Sequence, residues 1–564
     1  LSSELRILIV GGYGTFGGRL VELLEDETRL TLLVAGPSLV KARAYCATRS
    51  SALATLSPTL FDRNCRDHQA LLQLAVDLVV DASGPFQAYG EERYNLIECC
   101  IKCAVNYLDL ADGSGFVAGV ARFDEAARRA GIYLLSGASS FPVLTAAVVR
   151  HLSADLARIT SIRAGIAPSP YAGVGLNVIR AIASYAGQPV TLKRDGKSVT
   201  AYPLTESMRF VIAVPGYMPL TSIRFSLVDV PDLAALPEIW PEVDEVWIGA
   251  GPVPALFHWL LSGLAWLVRL RLMPGLLWMA RLIHVVTNHI RWGEHRGGMF
   301  VEVRGQTADG AAIRRDWHLL AEGKDGPLIP SMAVAAIVRN SLAGREPAAG
   351  ARTAISDVSL SDYQHQFAQR TIYTGTRQRQ PEAPAPLFQL VLGNTWNLLP
   401  CSLMELHSVT TTALYAGRCR VTRGNNPIAR IAMAVFGFPK AGSDLAITVA
   451  LSLEGSSERW VRTVAGRSFS SRLSRGEGRS EGLIRERFGP LSIDMALLLN
   501  DPTLEYVVRR WSVLGIPMPR WLGPTTSARE FVDRQGRFNF DVELRHPLFG
   551  LLTHYAGWLC LKTD

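Results

Sequence analysis

Residues 5–17, LRILIVGGYGTFG, run an apolar stretch directly into Gly12-Tyr13-Gly14-Thr15-Phe16-Gly17. Glycines at this spacing, between a strand and a helix, suit the binding of a dinucleotide pyrophosphate. Gly12 permits the bend, Gly14 lets backbone amides approach the phosphates, and Gly17 lets the helix pack close to the strand. Tyr13 and Phe16 are bulky enough to cover the pyrophosphate, and Thr15 opens the helix. In an NAD site an Asp or Glu beyond the second strand receives the ribose 2′-hydroxyl. No acidic residue lies between Thr28 and Phe61, and the second strand ends Val34-Ala35-Gly36-Pro37-Ser38, with Lys41 and Arg43 behind it. A 2′-phosphate would be repelled by a carboxylate and held by Ser38 and Lys41, so NADP is expected rather than NAD.

Other chemistry-bearing residues also follow strands. Asp62 is placed to accept from the adenine amino group, and Ser83-Gly84-Pro85-Phe86 to abut the nicotinamide ribose. Hydride transfer to a carbonyl or enoyl acceptor needs one proton donor, for which Tyr107, Asp109, Asp112 and Ser140 are the candidates. Asp109 and Asp112 serve equally well as caps of the following turn or helix, and Ser139 and Ser140 as caps of a helix near Pro142. Metal chemistry is not expected: His284 and His289 are badly spaced for one ligand pair, and the Cys100–Cys103 pair falls in an amphipathic helix.

These residues need a scaffold of alternating strands and helices, and the first part of the chain supplies one. Strands are expected at 5–10, 30–34, 57–60, 77–81, 106–109 and 131–135, with helices between, among them 90–103 and 115–129. That alternation is an α/β pattern and gives a doubly wound parallel sheet, a Rossmann domain over residues 1–150. Residues 151–372 read as a mixed α+β substrate or dimerisation domain, with a hairpin in 299–323 turned at an Asp-Gly and a closing stretch from 330 that returns to the first domain. TGTRQRQPEAPAP falls in a linker over 373–386. Residues 387–564 read as a separate α+β or mostly β domain.

The chain of 564 residues is 48% hydrophobic and carries a formal charge of +8. Basic charge suits an anionic cofactor or membrane surface, whereas nucleic acid is not expected, for want of a basic block with interleaved aromatics. Eight scattered cysteines fit a reducing, cytoplasmic setting, with Cys46, Cys65 and Cys419 standing alone. With the first strand at residue 5, no signal peptide is expected ahead of it. Residues 246–268 are free of charge, and the Trp-rich segment 246–292 interleaves its tryptophans with Arg269, Arg271, Arg281 and Arg291. Pro252 and Pro254 shorten its helical part below a membrane span. Three readings stay open: a helix in a bilayer interface, peripheral at the inner membrane; a buried hairpin or homodimer face; or a span.

On LIVGGYGTFGGRL, DLVVDASGPFQAYG, NYLDLADGSGFV, GASSFPVLTAAVV and GGMFVEVRGQTADG, the stretch from 5 to about 372 resembles the saccharopine dehydrogenase-like oxidoreductase family. The C-terminal part is similar to a bacterial domain family of unknown function. The resemblance implies an NAD(P)-dependent oxidoreductase whose second domain closes over the cleft. The greasy second domain looks like the lipid-metabolism branch of that family. The expected function is an NADP-dependent reductase of a small lipophilic carbonyl or enoyl substrate, met at a membrane surface. A water-soluble saccharopine-type amino-acid dehydrogenase and a non-catalytic membrane scaffold with a vestigial Rossmann fold are the alternatives.

Overall fold

The computed structural model describes residues 4–64, 68–251, 255–289, 293–379, 385–409 and 411–562. Cys65, Pro252, Pro254, Arg291, Trp292 and residues 380–384 of the expected linker lie outside the described residues. The chain divides into two compact units, Leu1–Met208 with Ile223–Tyr373, and Arg209–Ser222 with Thr374–Asp564. Residues 209–222, expected inside the substrate domain, therefore belong to the second unit.

The first unit begins with β1 (Leu5–Val10), α1 (Thr15–Leu24), β2 (Leu30–Gly36), α2 (Leu39–Ala47), β3 (Thr55–Leu60), α3 (His68–Gln73), β4 (Leu78–Asp81), α4 (Asn95–Cys103), β5 (Asn106–Asp109), α5 (Ser114–Val120), α6 (Asp124–Ala130), β6 (Tyr133–Ser136) and α7 (Thr145–Leu152). The expected helix 115–129 is thus two helices, because a 3-10 turn at Ala121–Phe123 separates α5 from α6. The strands pair in parallel, and Ile7, Leu8 and Ile9 of β1 are fully buried, as an all-apolar strand covered on both faces must be.

The chain continues through β7 (Arg158–Ala167), α8 (Leu176–Tyr185), β8 (Val190–Arg194), β9 (Lys197–Ala201), β10 (Ser207–Phe210), β11 (Ile223–Leu227), α9 (Asp232–Ile239), β12 (Glu245–Ala250), α10 (Ala255–Arg269), α11 (Ala280–His289), β13 (Gly297–Gln306), β14 (Ala312–Ala321), α12 (Ile329–Leu342), β15 (Gly350–Thr353), α13 (Leu360–Phe367) and β16 (Ile372–Arg379), the division between the units falling within β10 and β16. A mixed sheet runs β11-β12-β7-β13-β14, with β12 parallel to β7 and the expected β13–β14 hairpin antiparallel. β16 replaces the start of the expected linker. Its inward positions include Gly375 and Arg377, residue types that read as loop in sequence.

The chain then returns to the nucleotide-type sheet. β15 pairs with β6, so that sheet reads β15-β6-β5-β4-β1-β2-β3. α12 lies on α1, tied by Ser331 Oγ donating to the Phe16 carbonyl at 3.1 Å.

α10 and α11 form a helical pair around α8. Ala265, Val268 and Ala280 pack on Ile179 and Ala183, and Asn288 brackets Val174 with two hydrogen bonds of 3.0 Å. The outward side is apolar: Trp259, Leu260, Leu270 and Leu272 are 57, 55, 59 and 73% exposed, and Trp278 and Leu282 are 69 and 58% exposed. Arg269 caps the Trp266 ring at 4.5 Å. With fifteen residues α10 is about 22 Å long, short of the roughly 30 Å hydrocarbon core. No described helix is long and apolar enough to cross a membrane.

The second unit is an antiparallel barrel. Strand Thr412–Arg423 pairs with both Gly442–Glu454 and Gly550–Leu561, and the pairing of Leu491–Asn500 with Thr503–Val513 closes the ring. Its interior is filled by the preceding helices Leu387–Leu392 and Cys401–Leu406, with Phe388 stacked at 3.6 Å on His407. His407 is fully buried, and its Nε2 lies 2.7 Å from Glu530.

Candidate active site

The glycine turn has the shape its spacing implies. Gly11 and Gly12 amides donate to the Ala35 carbonyl, both at 2.9 Å, and Gly14 donates to Gly11 at 2.8 Å. A Cβ on Gly12 would stand 2.8 Å from the Ile9 carbonyl oxygen, and one on Gly17 2.2 Å from that of Gly11. α1 has no side-chain cap at Gly14, so its first amides are left for an anion. α8 is likewise uncapped at Gly175, and a Cβ there would lie 3.1 Å from Thr15 Oγ1. Two positive helix ends therefore meet around the exposed Thr15, a cradle that fits a pyrophosphate. Phe16 is half-buried, with Arg19 over its ring.

At the end of β2 the Tyr13 ring lies over Gly36, and its hydroxyl accepts from the Ser38 amide at 3.0 Å. Ser38 Oγ caps α2 by accepting from the Lys41 amide at 3.4 Å, while the Lys41 and Arg43 side chains point to solvent. Asp62 is exposed and closes a short turn onto the Asn64 amide. Tyr13, expected over the pyrophosphate, instead shares the corner of Ser38 and Lys41 at the end of β2, with no carboxylate on α2.

The Ser83–Phe86 segment is braced from behind. Ser83 Oγ donates to Asp81 at 2.5 Å and lies 2.7 Å from the Tyr89 hydroxyl. Asp81 pairs at 2.9 Å with Arg63, whose guanidinium stacks 3.5 Å from the Tyr89 ring centre. Burial draws the Arg63 pKa down, but Asp81 and the two tyrosines outweigh it and raise it. Phe86 is buried against Tyr89 and Phe116. From the front, Asn177 of α8 donates to the Ser83 and Gly84 carbonyls at 3.3 and 2.9 Å.

The four donor candidates separate. Tyr107 is fully buried in β5. Asp109 is also fully buried, and its Oδ1 accepts from Ser136 Oγ, the Gly137 amide and the Ala111 amide at 3.0, 2.7 and 2.9 Å. It clamps the ends of β5 and β6, a framework role, and burial pushes its pKa up to about 7. Ser140 is buried in the turn before α7. These three are corrected from proton donors to interior residues, since a donor must reach the cleft.

Asp112 alone stands with cleft groups. Gln87 Nε2 donates to its Oδ1 at 3.1 Å, and burial, together with the nearby Asp229 carboxylate, raises its pKa. Asp229, from the loop after β11, accepts from Ser114 Oγ at 2.6 Å, and burial raises it too. Tyr185 at the end of α8 is pushed far up by burial and by both carboxylates. Phe86, Gln87, Glu91, Arg93, Ser114 and Asp229 are among the residues that line a cavity of about 490 Å³ beside them. Sequence alone missed Asp229, Tyr185, Asn177 and Arg63. The only signal for Asp229 was an acid after a strand in LVDVPD.

Near this loop, Asp232 opens α9 fully buried and faces the Thr145 hydroxyl without closing a full hydrogen bond. Burial pushes it up to about 7 from an ordinary 3.8. Between those values the folded chain holds a proton that the unfolded chain releases, so this contribution is full at low pH and is lost as pH rises through 7. Melting wild type and Asp232→Asn side by side should show the variant gaining on wild type toward alkaline pH, by on the order of 4 kcal/mol in all. Parallel curves would dismiss Asp232 as the titrating group.

Residues 7–135 match the family described as saccharopine dehydrogenase NADP binding domain, and residues 399–559 match a domain of unknown function, DUF4166. A comparison with curated proteins finds no match. Among solved structures, the saccharopine dehydrogenase (L-Glu forming) from Saccharomyces cerevisiae is 14% identical, covers 66% of this chain and 100% of its own, and has a TM-score of 0.48. A meso-DAPDH mutant from Clostridium tetani is 16% identical over 64% of this chain and 95% of its own, at a TM-score of 0.31. The WlbA dehydrogenase from Thermus thermophilus, in complex with NAD, is 12% identical over 61% and 90%, at 0.28.

Proposed function

We propose that this NAD(P)-dependent oxidoreductase, with its saccharopine dehydrogenase-type NADP-binding domain and C-terminal domain of unknown function, is an NADP-dependent reductase of a lipophilic carbonyl or enoyl compound drawn from a membrane surface. The observation that carries the reading is the position of α8. Its start meets the glycine turn at Thr15 and the Ser83–Gly84 carbonyls, its end sets Tyr185 near Asp112 and Asp229, and its outer side supports the exposed apolar face of α10 and α11. The proposed cofactor turn, proposed donor and greasy surface are thus linked through one helix.

When bound, the reduced cofactor supplies a hydride. The chain's own residues do the rest. The amides of Thr15 and Phe16 and the start of α8 would hold the pyrophosphate, and Ser38 and Lys41 would take the 2′-phosphate once Tyr13 stacks aside. Asp112, whose pKa burial and the nearby Asp229 raise, is the group we assign to give a proton to the oxygen or carbon left negative by hydride addition. The cavity is lined by Asp229, Glu91, Gln87 and Ser114 together with Arg93, two acids against one cation, which suits poorly a substrate bearing several carboxylates.

Calorimetry on the full chain, followed by NADPH oxidation assays, tests this. NADPH should bind at least about tenfold more tightly than NADH, a difference of roughly 1.4 kcal/mol. Oxidation should proceed with long-chain enones or ketones presented in vesicles and not with 2-oxo acids plus amino acids. Absence of NADPH binding, or turnover of the amino-acid pair alone, would sink the proposal.

A further inference from the structure

The helix Pro427–Val435 lies between the barrel strands Thr412–Arg423 and Gly442–Glu454 of the second unit. Its inner residues Ala429 and Met433 pack with Phe438, Phe469 and Leu552, closing that end of the barrel. Ile428, Ile431 and Val435, spaced three and four apart, form a second apolar stripe that is 56, 66 and 77% exposed. A helix that has already buried one face has no structural need of the other.

Arginines flank this stripe. Arg430 and Arg467 are exposed, and Arg423 gives its guanidinium to the Pro439 and Phe438 carbonyls rather than to a carboxylate. Burial, then Arg467 and Arg430, depress the Arg423 pKa, so both arginines stand near Arg423.

We infer that this end of the barrel docks on an anionic lipid bilayer, with Ile428, Ile431 and Val435 entering the acyl boundary and Arg430 and Arg467 meeting the headgroup phosphates. Three side chains on a nine-residue helix are far too little for the roughly 800 Å² per partner of a stable protein interface. Insertion into a bilayer, by contrast, adds up side chain by side chain and is strengthened by each nearby cation. A second copy would bring the arginines face to face. The inference goes beyond the reductase reading: it rests on residues of the other unit and needs neither cofactor nor substrate.

Vesicle flotation of the full-length protein tests it, using phosphatidylcholine alone or mixed with phosphatidylglycerol. Wild type should float on the anionic mixture at least about tenfold more than on the neutral lipid. The triple variant Ile428→Ser, Ile431→Ser, Val435→Ser and the double variant Arg430→Glu, Arg467→Glu should each lose about tenfold or more. All altered positions are exposed, and unchanged circular dichroism and NADPH binding confirm the fold. A control, Leu260→Ser with Trp278→Ser, probes the α10–α11 face alone. Variants floating within about twofold of wild type, equal binding to both lipids, or loss confined to the control would overturn this docking site; loss confined to the control leaves the reductase reading standing. A dimer in light scattering that the triple variant dissolves would overturn it in favour of a second copy.

Discussion

Asp112→Asn is expected to lower turnover of a reducible lipophilic substrate by about 10²–10⁴-fold, the usual worth of a positioned general acid. Asparagine keeps the shape and the contact with Gln87 but has no proton to give. NADPH affinity should stay within about twofold, because Asp112 lies beyond strand β5 rather than at the glycine turn. Asp229→Asn makes a different mark: with the like charge gone, the Asp112 pKa falls, and the alkaline limb of the pH–rate profile moves to lower pH. A wild-type rate in Asp112→Asn would remove it as the donor. An unmoved limb in Asp229→Asn would uncouple the two carboxyls.

The second large effect is at Gly17. The added methyl of Gly17→Ala would stand 2.2 Å from the Gly11 carbonyl oxygen and 2.9 Å from the Gly12 Cα, both rigid backbone. Either α1 or the turn must move, at a cost of about 1–3 kcal/mol or more, and either movement misaims the amides meant for the pyrophosphate. NADPH affinity should drop by about a hundredfold or more, roughly 2.7 kcal/mol, with a lower melting temperature. Gly18→Ala is the internal control. Its methyl meets only the Tyr45 side chain, at 3.2 Å, which can yield by a few tenths of an ångström. Equal affinities in the two variants would show that the turn does not hold the cofactor.

The glycine turn, the six leading strands and the acid-free end of β2 were legible because each is written in contiguous residues. Asp112 was legible for the same reason, but its neighbour was not: Ser114 and Asp229 are 115 positions apart, and only the fold joins them. The interior fate of Tyr107 and Asp109 was hidden, because a strand end looks the same in sequence whether its side chains face a cleft or a core. β16 was misread as linker because its buried Arg377 is satisfied by the Ala213 and Val391 carbonyls, partners far from it in sequence or across an undescribed stretch. Some of the barrel strands, such as those near 445–453, 458–464 and 537–544, show in sequence, but Thr412–Arg423 and Gly550–Leu561 do not. Their closure depends on Thr412–Arg423 meeting Gly550–Leu561, a pairing that spans the whole domain.

The return of the chain at β15 bears on how this protein can be made. The edge of β6 is covered only when Gly350–Thr353 arrive, and α12 covers α1 only shortly before. At about 5–20 residues per second, a ribosome needs roughly 10–40 s to supply the intervening 200 or so residues. Throughout that time the nascent sheet presents an unpaired strand edge, a template for wrong pairing. A recombinant fragment cut at the end of α7 would keep that edge open indefinitely, so productive truncations of the nucleotide-binding half must extend past Thr353.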